Sequence, residues 1–385
     1  MDNETGKKDV FKARRIPVCE PTLGGNELKY VTDCLNTNWI SSGGKYIPLF
    51  EQGFSNYCGV KNGVACFNGT AALHLAVLAL GIGPGDEVIT PTFTMIASVN
   101  SIIYSGARPV LVDAEPDTWN IDVSRIEEKI TKKTKAIMPV HIYGHPCDMK
   151  VIRDIAEDHH LFIIEDAAEA HGAEIDGKKM GSWGDVAAFS FYANKIITSG
   201  EGGMVVTQSD ELAERMRSLR NHCFGVPRFV HKELGYNYRM TNIQAAIGLA
   251  QLERINELVE MRRNNARQYD SHLKGVPGIT LPVERPGAKN VYWMYGLLLG
   301  KEFGISKDDA MKALDSLGVE TRSFFFPMNQ QPLFEKKDPR FPDISGKYPV
   351  ADRLAKEGLY LPSSSHLKKE EIREVADKLL SLRKK

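Results

Sequence analysis

A chain of 385 residues is longer than one small core needs and suits two domains, since domains run roughly 100 to 200 residues. With 42% hydrophobic and 25% charged residues, its composition is globular and excludes a disordered, collagen-like or disulfide-built chain. Lysine plus arginine and aspartate plus glutamate both number 49, so no basic excess points to nucleic acid or an anionic membrane.

The N-terminal MDNETGKKDVFKARR lacks the apolar core of a secretory leader. Cys19, Cys34, Cys58, Cys66, Cys147 and Cys223 are scattered without a C-x-x-C pair, which fits a reducing cytoplasm. The longest apolar run, from Ala71 to Leu80, is about half of the roughly 20 residues that span a bilayer, so no membrane segment is expected. From Val60 to about Val206, β-rich runs alternate with helical ones: GVACFN, DEVITP, ARPVLVD, KAIMPVHI, LFIIEDA, DVAAFSFY and GGMVVTQ are the predicted strands. That rhythm predicts an α/β domain with a mainly parallel sheet covered on both faces. From Thr241 to Leu273 one long helix is expected, with Ile243, Ile247, Ala250, Leu258 and Met261 on one face; Arg254 falls on the same stripe, so its burial is incomplete. Gly275, Pro277 and Gly278 end it, and strands such as VYWMYGLLLG then alternate with helices such as SKDDAMKALDSLG. The long helix reads as a bridge from a large domain over residues 1–255 to a smaller C-terminal α/β domain over 256–385.

Three motifs carry candidate chemistry. Asn68-Gly69-Thr70 follows a strand and opens a helix, whose first turn offers free N–H groups and partial positive charge to a phosphate; it is equally an ordinary helix cap. Asp166 ends the run IIED at the carboxyl end of a strand, where ligands of open α/β sheets collect. A carboxylate there could pair with a protonated pyridine nitrogen, or simply cap the next helix. Lys195, between FSFYAN and IITSG, sits in apolar surroundings that suit a lysine nucleophile or base, the alternative being a side chain that snorkels to solvent. His141, His145 and Cys147 lack a fourth zinc ligand and the usual spacing, so PVHIYGHPCDM reads as a crossover loop. Gly81-Ile82-Gly83-Pro84-Gly85 follows a helix rather than a strand and reads as a turn, which argues against a nicotinamide dehydrogenase.

Taken together, FNGTAAL, EDAAEAHGA, FSFYANKIITSGEGG and GYNYRMTNIQAAIGLAQL resemble, in order and spacing, the DegT/DnrJ/EryC1/StrS family of nucleotide-sugar aminotransferases, from about Pro17 to near the C-terminus. The resemblance implies an aspartate aminotransferase-like fold, pyridoxal 5'-phosphate as cofactor, and a cytoplasmic homodimer with active sites shared between subunits. It implies that Lys195 is the Schiff-base lysine, Asp166 the partner of the pyridine nitrogen, and Gly69, Thr70 and Ser190 phosphate-binding positions, with Asn237 reaching the phosphate from the neighbouring subunit. Glu169 stands where many members have glutamine near the cofactor's phenolic oxygen, so it is expected to share a proton or to face the substrate. Met95 holds the usual ring-stacking position, with Phe93 as the alternative. The implied reaction is ping-pong: L-glutamate gives its amino group and leaves as 2-oxoglutarate, and a keto-sugar nucleotide then takes the amine. A dehydratase branch carries histidine in place of the lysine, and Lys195 argues against it. WISSGGKYI, EDAAEAHGA and TRSFFFPMNQQPLF look most like the branch that aminates C4 of GDP-4-keto-6-deoxy-D-mannose, for O-antigen or other surface glycans; a dTDP- or UDP-linked 4-keto sugar is the alternative. By analogy, Ser41, Lys45 and Arg322 are expected near the diphosphate or sugar and His222 and Phe325 at the pocket wall, while Asn329 stands where that branch has histidine. A cofactor-binding regulatory or scaffold protein is the competing class, against which the set Lys195, Asp166 and Asn237 argues.

Overall fold

The seven β-rich runs between Val60 and Val206 come together as one sheet. It is seen in a computed structural model that describes residues 15–384; apart from Arg15, the N-terminal stretch weighed for a leader lies outside the described residues. Helices α1 (Glu27–Asn36) and α2 (Tyr46–Cys58) precede β1 (Asn62–Cys66). Then come α3 (Gly69–Ala79), β2 (Glu87–Pro91), α4 (Ile96–Tyr104), β3 (Arg108–Val112), β4 (Thr134–Ile137), α5 (Met149–Asp158), β5 (Phe162–Asp166), β6 (Val186–Ser190), β7 (Gly203–Thr207) and α6 (Asp210–Leu219). The sheet order is β1-β7-β6-β5-β4-β2-β3. All neighbours are parallel except β7, which runs antiparallel to both β1 and β6. β2, β6 and β7 are buried at every residue, as strands covered by helices on both faces must be. The predicted strand KAIMPVHI is shorter than expected, because Pro139 has no N–H to continue the ladder past Ile137.

The expected helix from Thr241 to Leu273 is instead two, α7 (Asn242–Leu252) and α8 (Ile255–Leu273). Arg254 leaves the helical region, with φ −112° and ψ 8°. At the break Glu253 is claimed by α1, accepting from Tyr30 Oη at 2.5 Å and Asn26 Nδ2 at 2.7 Å. The buried face of α7 is its small residues, Ala245, Ala246, Gly248 and Ala250, while Ile243 and Ile247 stay half-buried. A Cβ on Gly248 would come within 2.7 Å of Phe50, so glycine is what lets α2 and α7 approach so closely. α8 serves two cores: Leu258 and Val259 belong to the large one, and Ala266, Tyr269 and Leu273 to the second.

That second core lies under a four-stranded antiparallel sheet in the order β8-β9-β11-β10, from β8 (Ile279–Thr280), β9 (Tyr295–Leu299), β10 (Arg322–Ser323) and β11 (Gly358–Leu361). Helices α9 (Lys307–Ser316), α10 (Pro349–Glu357) and α11 (Lys369–Ser381) complete it. Contacts tie it to the rest, among them the bridge of Ile16 to Val319 and Asp113, just past β3, which accepts from the Val350 and Ala351 N–H groups at the start of α10. The strand read at VYWMYGLLLG begins only at Tyr295, because Tyr292 takes a left-handed conformation (φ 47°) that breaks the extended run. A short three-stranded sheet of Glu174–Ile175, Lys178–Lys179 and Ala288–Lys289 also links early and late chain. No described helix is long and apolar enough to cross a membrane.

Candidate active site

The carboxyl ends of β5 and β6 and the start of α3 open onto a cavity of about 390 Å³. Its lining includes Gly69, Thr70, Met95, Asp166, Glu169, Ser190, Lys195 and Phe325, so the motifs read from sequence converge on one place. At its floor Asn68 caps α3, its side-chain oxygen accepting from Ala71 N–H at 2.9 Å. Among the described residues, the Gly69 and Thr70 amides of that open first turn have no protein acceptor. Cap and anion seat are therefore compatible here. A Cβ on Gly69 would stand 2.7 Å from Ser190 Cβ, so the cradle beside the Ser190 hydroxyl exists only because residue 69 has no side chain.

Asp166 ends β5 and is almost fully buried. Ser98 Oγ, itself bonded to Thr94, donates to one carboxylate oxygen at 2.7 Å, and the Ala168 N–H donates to the other at 3.2 Å. Burial still raises its pKa, against those two donors. Behind it the wholly buried Glu165 is held by the N–H groups of Gly181, Trp183 and Gly184 and faces His141 Nε2 at 3.2 Å. His141 Nδ1 accepts from Cys147 N–H, and His145 bonds the Pro146 carbonyl and the Arg285 N–H. The ring nitrogens of the weighed zinc motif thus serve the loop.

Lys195 reaches back from the loop after β6 with only 10% of its side chain exposed. Its Nζ lies 3.7 Å from the centre of the Trp293 ring and 3.9 Å from Glu169 Oε1. Burial pushes the amine below its ordinary value, opposed by the charges of Glu169 and Asp166. Burial raises Glu169 to about 7, opposed by Lys195 and by the Tyr143 N–H that donates to its other oxygen at 2.7 Å. A lysine amine poised toward neutrality beside a carboxyl poised toward protonation can pass a proton in either direction. These residues fit pyridoxal phosphate: an anion seat left open by Gly69, a buried carboxylate with one donor on each oxygen, and a lysine of low exposure lining the same cavity.

Met95 lines the cavity, 47% exposed, with its sulfur accepting from Ala97 N–H. Phe93 is fully buried against Tyr143, Phe324 and Phe325 and does not line the cavity. Several expected residues are not brought to the cavity of their own chain. Ser41 accepts from Asn242 N–H, Lys45 pairs with Asp33 at 2.9 Å, and Arg322 pairs with Glu320 at 3.1 Å. The His222 ring packs on Phe224, and Asn237 bridges Asn221 through its backbone. Asn329 is spent on structure: its side chain accepts from Thr92 Oγ1 at 2.9 Å and donates to Asp352 at 3.0 Å. Sequence reading missed Trp293 and Tyr360, which line the cavity, Tyr143, whose N–H holds Glu169, and Ser98, whose hydroxyl holds Asp166. Trp293 and Tyr143 lay inside segments read as a strand and a loop, and nothing local marked either as near Lys195.

The match to known proteins follows this geometry. The model of the DegT/DnrJ/EryC1/StrS aminotransferase family matches residues 21–380. The chain belongs to that family. Among its members, the GDP-perosamine synthase of Caulobacter vibrioides is 48% identical, over 93% of this chain and 95% of that protein. The GDP-perosamine synthase of Vibrio cholerae is 44% identical, over 94% and 97%. Among solved members, DesV of S. venezuelae, in complex with a ketimine intermediate, superposes with a TM-score of 0.86 at 36% identity, over 92% of this chain and 94% of that one. As a family member this chain is an aminotransferase, and the shared fold is the α/β architecture with a large, mainly parallel sheet that its sequence led us to expect.

Proposed function

We propose that the chain transfers an amino group from L-glutamate to C4 of GDP-4-keto-6-deoxy-D-mannose, giving GDP-perosamine, with pyridoxal phosphate carried on Lys195. The observation that carries the chemistry is the buried Lys195 amine, flanked by Glu169 and facing a cavity with an anion seat at one end. The sugar rests on the two GDP-perosamine synthases at 44% and 48% identity along nearly the whole chain. When bound, the cofactor supplies the electron sink that makes the donor's α-hydrogen acidic. Gly69, Thr70 and Ser190 would hold its phosphate, Asp166 its ring nitrogen, and Met95 would pack on its ring. With the cofactor bound, Lys195 Nζ would take the proton from the α-carbon of L-glutamate and deliver it to the cofactor's C4′, and in the second half-reaction would carry one from there to C4 of the sugar. Glu169 would receive or lend the proton that Lys195 carries within each half-reaction. The low polarity around the amine, with Trp293 against it, keeps water from competing.

The enzyme acts as a homodimer in this reading. Trp39, Leu28, Leu35, Leu49, Val226 and Leu234 are exposed apolar residues that a second copy would cover. Asn237, absent from the cavity of its own chain, would enter that of its partner. The six free thiols, five of them buried, suit the cytoplasm. We place the two domains at 1–255 and 256–385, with the boundary in the first turn of α8.

The test is an assay of the purified protein with pyridoxal phosphate and L-glutamate. GDP-4-keto-6-deoxymannose and dTDP-4-keto-6-deoxyglucose are offered side by side, aminosugar is scored by mass, and Lys195→Ala serves as control. Lysine-dependent product from the GDP sugar supports the proposal. Preference for the dTDP sugar keeps the chemistry and overturns the substrate, and a bound cofactor with no product from either favours a regulatory role.

A further inference from the structure

Tyr143 follows β4 at the same end of the sheet as Asp166, and its backbone is unusual. It is a bulky, fully buried residue in the left-handed region (φ 51°, ψ 13°), next to Gly144 at φ 103°. Such a conformation is strained in a non-glycine residue and persists only where the surroundings impose it. The imposing partner is the segment before β9. Val291 N–H donates to the Gly144 carbonyl, and a Cβ on Gly144 would strike Val291 and the backbone of Tyr292 and Trp293. Tyr292 is itself left-handed, so two irregular turns brace each other.

What this pair of turns delivers is a set of contacts around one ring. The Tyr143 N–H holds Glu169 Oε2 at 2.7 Å. Its ring lies near-parallel to Trp293 (centroids 6.2 Å, 26°), the same indole that lies 3.7 Å from Lys195 Nζ. The other stacked neighbour is Phe325 (5.4 Å, 29°), and the phenol oxygen accepts the Phe325 N–H at 3.2 Å. Phe325 lines the cavity from the side of the four-stranded sheet.

We propose that Tyr143 is a positioning residue: it sets the environment of the Lys195 amine through Trp293 and Glu169, and ties that environment to the Phe325 wall where the sugar nucleotide would lie. This deepens the reading of Lys195 as the cofactor lysine and rests on it. Tyr143→Leu removes the stack and admits water beside Trp293, while its backbone N–H still holds Glu169. Wetter surroundings favour the charged amine, so its titration moves upward. Tyr143→Phe keeps the stack and removes only the acceptor for Phe325.

The experiment uses two probes that need no turnover. Reductive methylation of the cofactor-free protein with formaldehyde, read at Lys195 by peptide mass across pH, gives the midpoint for the free amine. We expect it to rise by about half a pH unit or more in Tyr143→Leu and to stay put in Tyr143→Phe. Hydrogen exchange of the peptide holding Phe325 is expected to speed up roughly tenfold in Tyr143→Phe, because that N–H loses the phenol oxygen as its acceptor. An unmoved midpoint in a folded Tyr143→Leu overturns the proposal. If that variant does not fold, unchanged exchange in Tyr143→Phe overturns it instead. Borohydride trapping of added pyridoxal phosphate separates the two readings: label missing from Lys195 in the unsubstituted protein removes the cofactor assignment, while the methylation midpoint still judges Tyr143.

Discussion

At the scale of single residues, the site holds three groups, Asp166, Glu169 and Lys195, whose protonation is shifted by burial. Lys195→Ala removes the amine that both half-reactions need, and the rate of aminosugar formation, followed by mass, should fall by at least roughly 10²- to 10⁴-fold. Glu169 allows a sharper test in the cofactor-free protein. Burial raises it from its ordinary 4.5 to about 7. Between these values the folded chain keeps a proton that the unfolded chain has released, so the stability this proton brings is full below pH 4.5 and is lost as pH rises through 7. Urea unfolding at pH 5 and pH 8 should show that loss, on the order of 2 kcal/mol, and Glu169→Gln should erase it. The same gap in the glutamine variant would mean that the carboxyl is already ionised at pH 5.

At the scale of elements, the cavity is made where two strands and a helix end together. Gly69→Ala puts a methyl group against Ser190 at the first turn of α3. Weakening of pyridoxal phosphate binding by about tenfold or more is expected, with a stability loss of roughly 1–3 kcal/mol for overpacking, read by absorbance titration and thermal melts. Much of this level was legible in the sequence, because it is local. The strand runs, the cap at Asn68 and the order of the Gly69, Asp166 and Lys195 motifs all follow from short-range patterns. What was not legible depends on distant chain. The break at Arg254 comes from α1 reaching Glu253, and the burial of small residues on α7 comes from Phe50 lying across Gly248. Trp293 meets Lys195, and Tyr143 stacks on Trp293, where two left-handed turns some 150 residues apart in sequence fit together. No periodicity announces such a meeting. The sugar-facing side was read by analogy alone, and Ser41, Lys45, His222, Arg322 and Asn329 lie away from the cavity of their own chain.

At the scale of the whole molecule, the proposed dimer makes a prediction about mixtures. A Lys195→Ala subunit still offers Asn237 to its partner, and an Asn237→Ala subunit still offers Lys195. Each variant alone should be impaired, the first severely. After mixing and subunit exchange, half of the dimers are mixed and each has one intact site, so about a quarter of the original activity should return. Activity that stays at the average of the two variants would mean that each site is built from one chain.

Trp293 has one more consequence. The protein has four tryptophans. Trp39 lies on the surface, Trp119 and Trp183 pack elsewhere, and Trp293 alone lines the cavity. Any conjugated molecule seated against Lys195 would drain the excited state of that one indole, so the chain carries a built-in optical gauge of its own occupancy. Filling the cavity should dim part of the intrinsic emission, and Trp293→Phe should silence the change while leaving the other three emitters alight.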